Sequence, residues 1–212
     1  MRSAALLLMA VSAAHSEILD RLALVVGHQT ISELQLDEEI RVTAFLNNAP
    51  IERTNEDRRA AADRLVEQLL VRREMDLSRY PLPGDADVQA YYEAVLQTKS
   101  EGEDINQSLA EYQLTPAILK QHLALQLTVL RFIEFRFRPD VDISDAEIAS
   151  SYRTYVEHWK MSHAGQKPPS LESLEPTIRE SLIEERTDRV LETWIEESRK
   201  QVNIVYLDPS LR

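Results

Sequence analysis

Apolar residues recur along most of this chain at spacings of three and four, as in helices that bury one face, and leave that rhythm only near its two ends. Leu22-Ala23-Leu24-Val25-Val26 is an unbroken apolar run of strand length. Gly27-His28 supplies a turn, and Gln29-Thr30-Ile31 reads as the returning strand. Ser32, with Gln35 three residues on, forms a capping box, so a helix is predicted from there through Leu34, Leu36, Ile40 and Phe45. It ends near Asn47-Asn48-Ala49-Pro50. Thr54 caps the next helix, whose stripe of Ala62, Leu65, Val66, Leu69 and Leu70 extends it to about Asp76. Tyr80-Pro81-Leu82-Pro83-Gly84 breaks the pattern, because proline removes donors and restricts the residue before it. Asp85 then opens a helix buried through Val88, Tyr91, Tyr92, Val95 and Leu96, and a short one follows from Asp104 through Ile105, Leu109 and Tyr112.

Thr115-Pro116 pairs a cap with proline at the first helical position, and the helix it predicts runs to about Phe137. That length spans roughly 35 Å at about 1.5 Å per residue. Its apolar positions, from Ile118 to Phe137, cover more than one face, while Arg131, Glu134, Arg136 and Arg138 exclude a membrane span. Such a stripe fits either a helix enclosed by its neighbours or one that lines an apolar groove. Ser144 with Glu147 makes another capping box, followed by Ile148, Tyr152, Tyr155, Val156 and Trp159 at helical spacing. Lys160 to Ser173 reads as a loop, and a last long helix is predicted from about Pro176. Val202 to Leu207 reads as a strand. One strand cannot stand alone, so it is expected to pair with the Leu22–Ile31 hairpin. The predicted fold is mainly α: a multi-helix domain with a small sheet made by the N-terminal hairpin and a C-terminal strand.

Composition agrees with helices, since only 4 of 212 residues are glycine. The net charge of −12 and the lack of any Lys/Arg run argue against nucleic acid as a partner. The first sixteen residues have the layout of a cleaved leader: Arg2, the apolar Ala4–Ala14, then Ala14-His15-Ser16 with small residues where a signal peptidase reads. Export to a periplasm with a mature start at Glu17 is expected, and losing Arg2 would take the charge from −12 to −13.

The order of elements resembles the SurA and parvulin-type family of periplasmic foldases. LALVVGHQTISELQL (Leu22–Leu36) resembles the strand-turn-strand that opens the family's core module. Ile105–Phe137 is similar to its short helix, turn and long helix, Val141–Tyr152 to its connector, and Pro168–Leu207 to its closing helix and strand. The resemblance thus covers nearly all of the expected mature domain, residues 17–212. In the family a parvulin isomerase domain sits between connector and closing helix; here that place holds only Lys160–Ser173. Proline isomerisation is therefore not implied. What the resemblance implies is a SurA N-terminal-like domain that holds unfolded, including outer-membrane, polypeptides without ATP. The alternative is a dedicated assembly or scaffold partner of one folded protein, built on the same module.

No catalytic or cofactor chemistry assembles from the sequence. There is no cysteine, no G-x-S-x-G elbow and no glycine-rich phosphate loop. His158 and His163 are five apart, off the four-residue spacing that would aim two imidazoles at one metal. Neither enzyme activity nor a metal or cofactor is expected. Apolar surface remains the candidate chemistry, and the residues singled out for peptide binding are Leu123, Leu127, Phe132, Phe135, Tyr152 and Trp159.

Overall fold

The computed structural model describes residues 20–99 and 105–212. The expected leader, 1–16, and the start of the short helix at Asp104 lie outside them. The chain is mainly helical, with a three-stranded antiparallel sheet in the order β2-β1-β3. Strands β1 (Leu22–Val26) and β2 (Gln29–Ser32) form the hairpin, and β3 (Ile204–Tyr206) pairs along the other side of β1. The C-terminal strand thus joins the N-terminal hairpin, as the stranded-strand argument required. Gly27 turns the hairpin at φ +61°, a conformation that penalises any Cβ, and its amide donates to the Asn203 carbonyl at 2.8 Å.

Seven helices follow the hairpin among the described residues: α1 (Glu33–Asn47), α2 (Asn55–Ser78), α3 (Asp85–Lys99), α4 (Ile105–Glu111), α5 (Pro116–Arg136), α6 (Asp145–Ser162) and α7 (Leu171–Lys200). Their starts are chemical. Ser32/Gln35, Thr54/Asp57 and Ser144/Glu147 each close a reciprocal capping box, and the Thr115 hydroxyl accepts from the Ile118 amide ahead of Pro116. The last helix departs from the sequence expectation. It begins at Leu171, capped by the Ser170 hydroxyl, and carries Pro176 inside it; α6 also continues to Ser162. Ser170 offers an acceptor to the Ser173 amide at 3.3 Å, and this cap sets the start although Pro176 then deprives one early carbonyl of its donor. The loop shrinks accordingly to residues 163–170.

The core has four linked parts. Under the sheet, Ala23, Leu24, Val26 and Ile31 pack on Leu36 and Ile40 of α1 and on Ala61, Ala62, Leu65, Val66 and Leu70 of α2. The chain end locks onto this cluster: Leu211, in a 3-10 turn at Pro209–Leu211, is buried within it, and Arg58 of α2 pairs with Asp208. Val42 and Phe45 of α1 meet Leu109, Leu114, Leu119 and Leu123, with Tyr91, Tyr92, Val95 and Leu96 of α3 against them. Val71 and Met75 at the end of α2 meet Phe132 and Phe137, joined by Leu191 and Trp194 of α7. Finally α6 and the first half of α7 pair through Ile148, Tyr152, Leu174, Ile178, Leu182 and Ile183. Each large side chain enclosed in this way contributes roughly 1.5–3 kcal/mol of burial free energy.

Candidate functional site

The six residues singled out from the sequence are placed in five different environments. Leu123 is fully enclosed among Phe45, Leu109 and Leu119. Phe132 is fully enclosed too, its ring centroid 4.8 Å from Trp194 and 5.3 Å from Phe137. Leu127 is half-buried. Phe135 is 45% exposed and stacks on Tyr80, with centroids 6.2 Å apart and planes 9° from parallel. Tyr152 and Trp159 lie on α6: the Tyr152 hydroxyl donates to the Pro169 carbonyl at 2.8 Å, and Trp159 stacks on His163 at 3.8 Å. These residues are not brought together into one groove. Leu123 and Phe132 are framework in this conformation, and Phe135 alone of the three phenylalanines Phe132, Phe135 and Phe137 offers its ring to solvent.

An apolar opening exists a turn further along the chain. After α5 ends, a 3-10 turn at Arg138–Asp140 swings the backbone aside, and the second half of α7 passes across the gap. The result is a cleft of about 570 Å³ with Phe137, Val141, Val190 and Trp194 as its apolar surface. Phe137 and Trp194 form the floor, tilted at 58° with centroids 6.1 Å apart. Both belong to the third core cluster, so the floor is held rigidly from behind by Phe132, Val71 and Met75. Val190 at the rim is 43% exposed. On α7 the lining residues Arg186, Arg189, Val190, Thr193 and Glu197 recur at helical spacing, one flank of the helix left uncovered.

Charge surrounds this apolar surface. Arg136, Arg186 and Arg189 line the cleft together with Asp140 and Glu197. Arg186 is committed, donating to Glu147 and to the Asp142 carbonyl. Glu147 is held down to about 2 by the Ser144 hydroxyl and amide first and by Arg186 next. Glu197 pairs with Lys200 at 2.7 Å, which raises the lysine. Arg189 faces Glu185 one turn back at 2.7 Å, both well exposed. Arg136 lies over the face of Phe137 at 5.6 Å and has no ion-pair partner among the described residues.

Two further openings differ in character. One of about 660 Å³ sits beside the hairpin turn, where Val26, Leu69, Leu77 and Val202 alternate with His28, Gln29, Arg73 and Asp76. The other, about 260 Å³, is polar and lies between α1, α2 and α5 over a buried charge network. There Glu39 receives Arg64 Nε at 2.8 Å and lies 3.0 Å from His122 Nδ1, while Glu38 is 3.9 Å from His122 Nε2. Burial pushes the Glu39 carboxyl up, but the bonds from His122 and Arg64 outweigh it and hold it below the ordinary range. No grouping of three or more His, Asp or Glu suited to a metal occurs among the described residues, and no helix there is long and apolar enough to cross a membrane. The aromatic floor and half-exposed rim make the α5–α7 cleft the candidate site.

Val190 and Trp194 fall within the last long helix that the sequence predicts, and nothing in its periodicity sets them apart from the residues that helix buries. The uncovered flank of α7 was visible in principle, since Val190 shares its side of the helix with Arg186, Arg189 and Thr193. No protein-family model matches the chain, and no curated protein matches it significantly.

Proposed function

We propose that this protein is an ATP-independent chaperone that binds apolar segments of unfolded exported polypeptides, outer-membrane proteins among them. It would be a SurA-like binding domain acting without an isomerase of its own. The observation that carries this reading is the α5–α7 cleft: an apolar surface anchored in the core yet open at Val190. A rigid aromatic floor accepts a client side chain with little loss of its own entropy. The cleft is small, so each engagement is weak and reversible, which suits a holder that must release. The net charge of −12 keeps protein and bound client in solution. The four segments that resemble the foldase family support the client class, and the leader-like residues 1–16 support a periplasmic workplace.

Suppression of aggregation tests it. The protein, without nucleotide, is mixed with an outer-membrane protein diluted from urea, and light scattering is followed. Protection near equimolar ratio is expected, and it should fall severalfold in Val190→Asp, which places a charge at the rim without touching the enclosed core. Absence of protection by the unaltered protein would sink the proposal. Undiminished protection by Val190→Asp would move the client surface elsewhere.

A further inference from the structure

On the reading that this cleft takes client segments, we infer that it selects those in which a bulky apolar residue is flanked by carboxylates. The protein is strongly acidic, with 36 Asp and Glu against 24 Lys and Arg, so most of its surface repels acidic peptide. Among the residues that line the cleft the proportion differs: three arginines stand with Asp140 and Glu197, and although Arg186 is held by Glu147, Glu197 is likewise held by Lys200. Two of the three guanidinium groups are open to a new partner. Arg136 has no carboxylate within ion-pair distance among the described residues and rests on the Phe137 ring. Arg189 has only Glu185, in an exposed i,i+4 pair of the kind that exchanges readily with solvent or ligand.

Both groups frame the Phe137–Trp194 floor from different elements, Arg136 from the end of α5 and Arg189 from the middle of α7. An apolar side chain inserted between them therefore leaves its chain neighbours beside two cations. A planar guanidinium binds a carboxylate in a forked, charge-assisted pair, stronger than a neutral hydrogen bond. Arg136 has a further reason to prefer a carboxylate. Its cation already lies over an aromatic face, so a bound segment that covers it removes water from a charge that an anion satisfies better than a neutral acceptor does. Apolar segments flanked by lysine would meet the opposite situation, with like charges held against the same two groups.

Fluorescence anisotropy of labelled Ser/Gly peptides tests this with the full chain. Three peptides carry one Leu flanked by Glu, by Gln or by Lys. The Glu peptide should bind about fivefold more tightly than the Gln peptide, and the Lys peptide most weakly. The preference should collapse in Arg136→Gln/Arg189→Gln and in roughly 0.5 M salt. Both arginines are exposed, and circular dichroism checks that the variant keeps its helices. Equal affinity for Glu and Gln peptides overturns the selection while leaving apolar client binding intact. A preference that survives in the double variant overturns the assignment to these arginines. Failure of all three peptides to bind overturns the selection and the client surface together.

Discussion

The Glu39 network ties three helices together, and its removal has a predictable magnitude. Glu39 of α1 is 7% exposed at its side chain, as is its partner His122 of α5 at 9%, while Arg64 of α2 keeps 38%. Breaking a fully buried ion pair by deleting one partner costs about 3–5 kcal/mol. Here Arg64 retains water, so its share of that penalty is largely recovered. The imidazole cannot turn to solvent, and leaving one buried polar atom unpaired costs about 1–3 kcal/mol. Glu39→Ala should therefore destabilise by about 2–3 kcal/mol, which for a chain of this size lowers Tm by roughly 5–10 °C. Glu39→Gln keeps the volume and one acceptor, so it should lose only about 1 kcal/mol.

The pH dependence follows from direction alone. The folded Glu39 carboxyl lies below its ordinary value, so its contribution is present above the unfolded carboxylate pKa and vanishes as pH falls through the folded one. The gap between wild type and Glu39→Gln, measured by thermal melts at several pH values, should thus be full near neutrality and begin to shrink only as the pH falls past the ordinary carboxylate value of about 4.3. A Glu39→Ala melt within about 1 °C of wild type would show the pair to be solvated. A gap that widened on acidification would reverse the sign of the linkage and refute the reasoning.

Phe132→Ala should cost about 3–5 kcal/mol because its ring is enclosed by Trp194, Phe137, Val71 and Met75, whereas Phe135→Ser should cost under about 1.5 kcal/mol; urea unfolding followed by circular dichroism distinguishes them. Ser144→Ala removes the cap of α6 and should destabilise by about 1 kcal/mol, with faster amide exchange confined to the first turns of that helix. Glu147 should titrate near 2 by carbon NMR, so the cap it completes stays intact down to about pH 3 and is lost as the pH falls through the folded value. Gly27→Ala places a Cβ at φ +61°, with Val202 Cγ1 3.4 Å away, and should lower stability by about 1–2 kcal/mol, read from the urea midpoint.

The helices were legible because their ends are written locally. The hydroxyls of Ser32, Thr54, Thr115 and Ser144 each accept from the backbone amide three residues on, a relation that sequence displays directly. The start of α7 is the exception: Pro176 reads as the first helical position, whereas the folded chain begins the helix at Leu171 on the Ser170 cap and carries the proline inside. The apolar excess of α5 has two readings, and the fold covers part of it with different partners while Leu130 and Phe135 stay exposed. Leu119 and Leu123 face α1, α3 and α4, while Phe132 faces the end of α2 and α7. Periodicity reports that a face is apolar and says nothing of what meets it. The Glu39–His122 contact joins positions 83 apart, and no local pattern could carry it.

The cleft illustrates the same limit from the other side. Along α7 the residues that close the core and those that line the opening are neighbours: Leu191 and Trp194 on one side, Arg189, Val190 and Thr193 beside them. Trp194 belongs to both. Its indole seals Phe132 from water on one face and forms floor on the other, so the opening is as rigid as the core behind it. Val190 stands half exposed at the rim, between Arg186 and Arg189 on one side and Thr193 on the other. If the cleft takes client segments as proposed, binding and stability are separable there, because Val190 is half exposed at the rim while Phe132 is enclosed. On the proposed function, changes at Val190, Arg136 or Arg189 would alter what the rim offers to a client, while changes at Phe132 or Trp194 would remove the floor by loosening the fold itself.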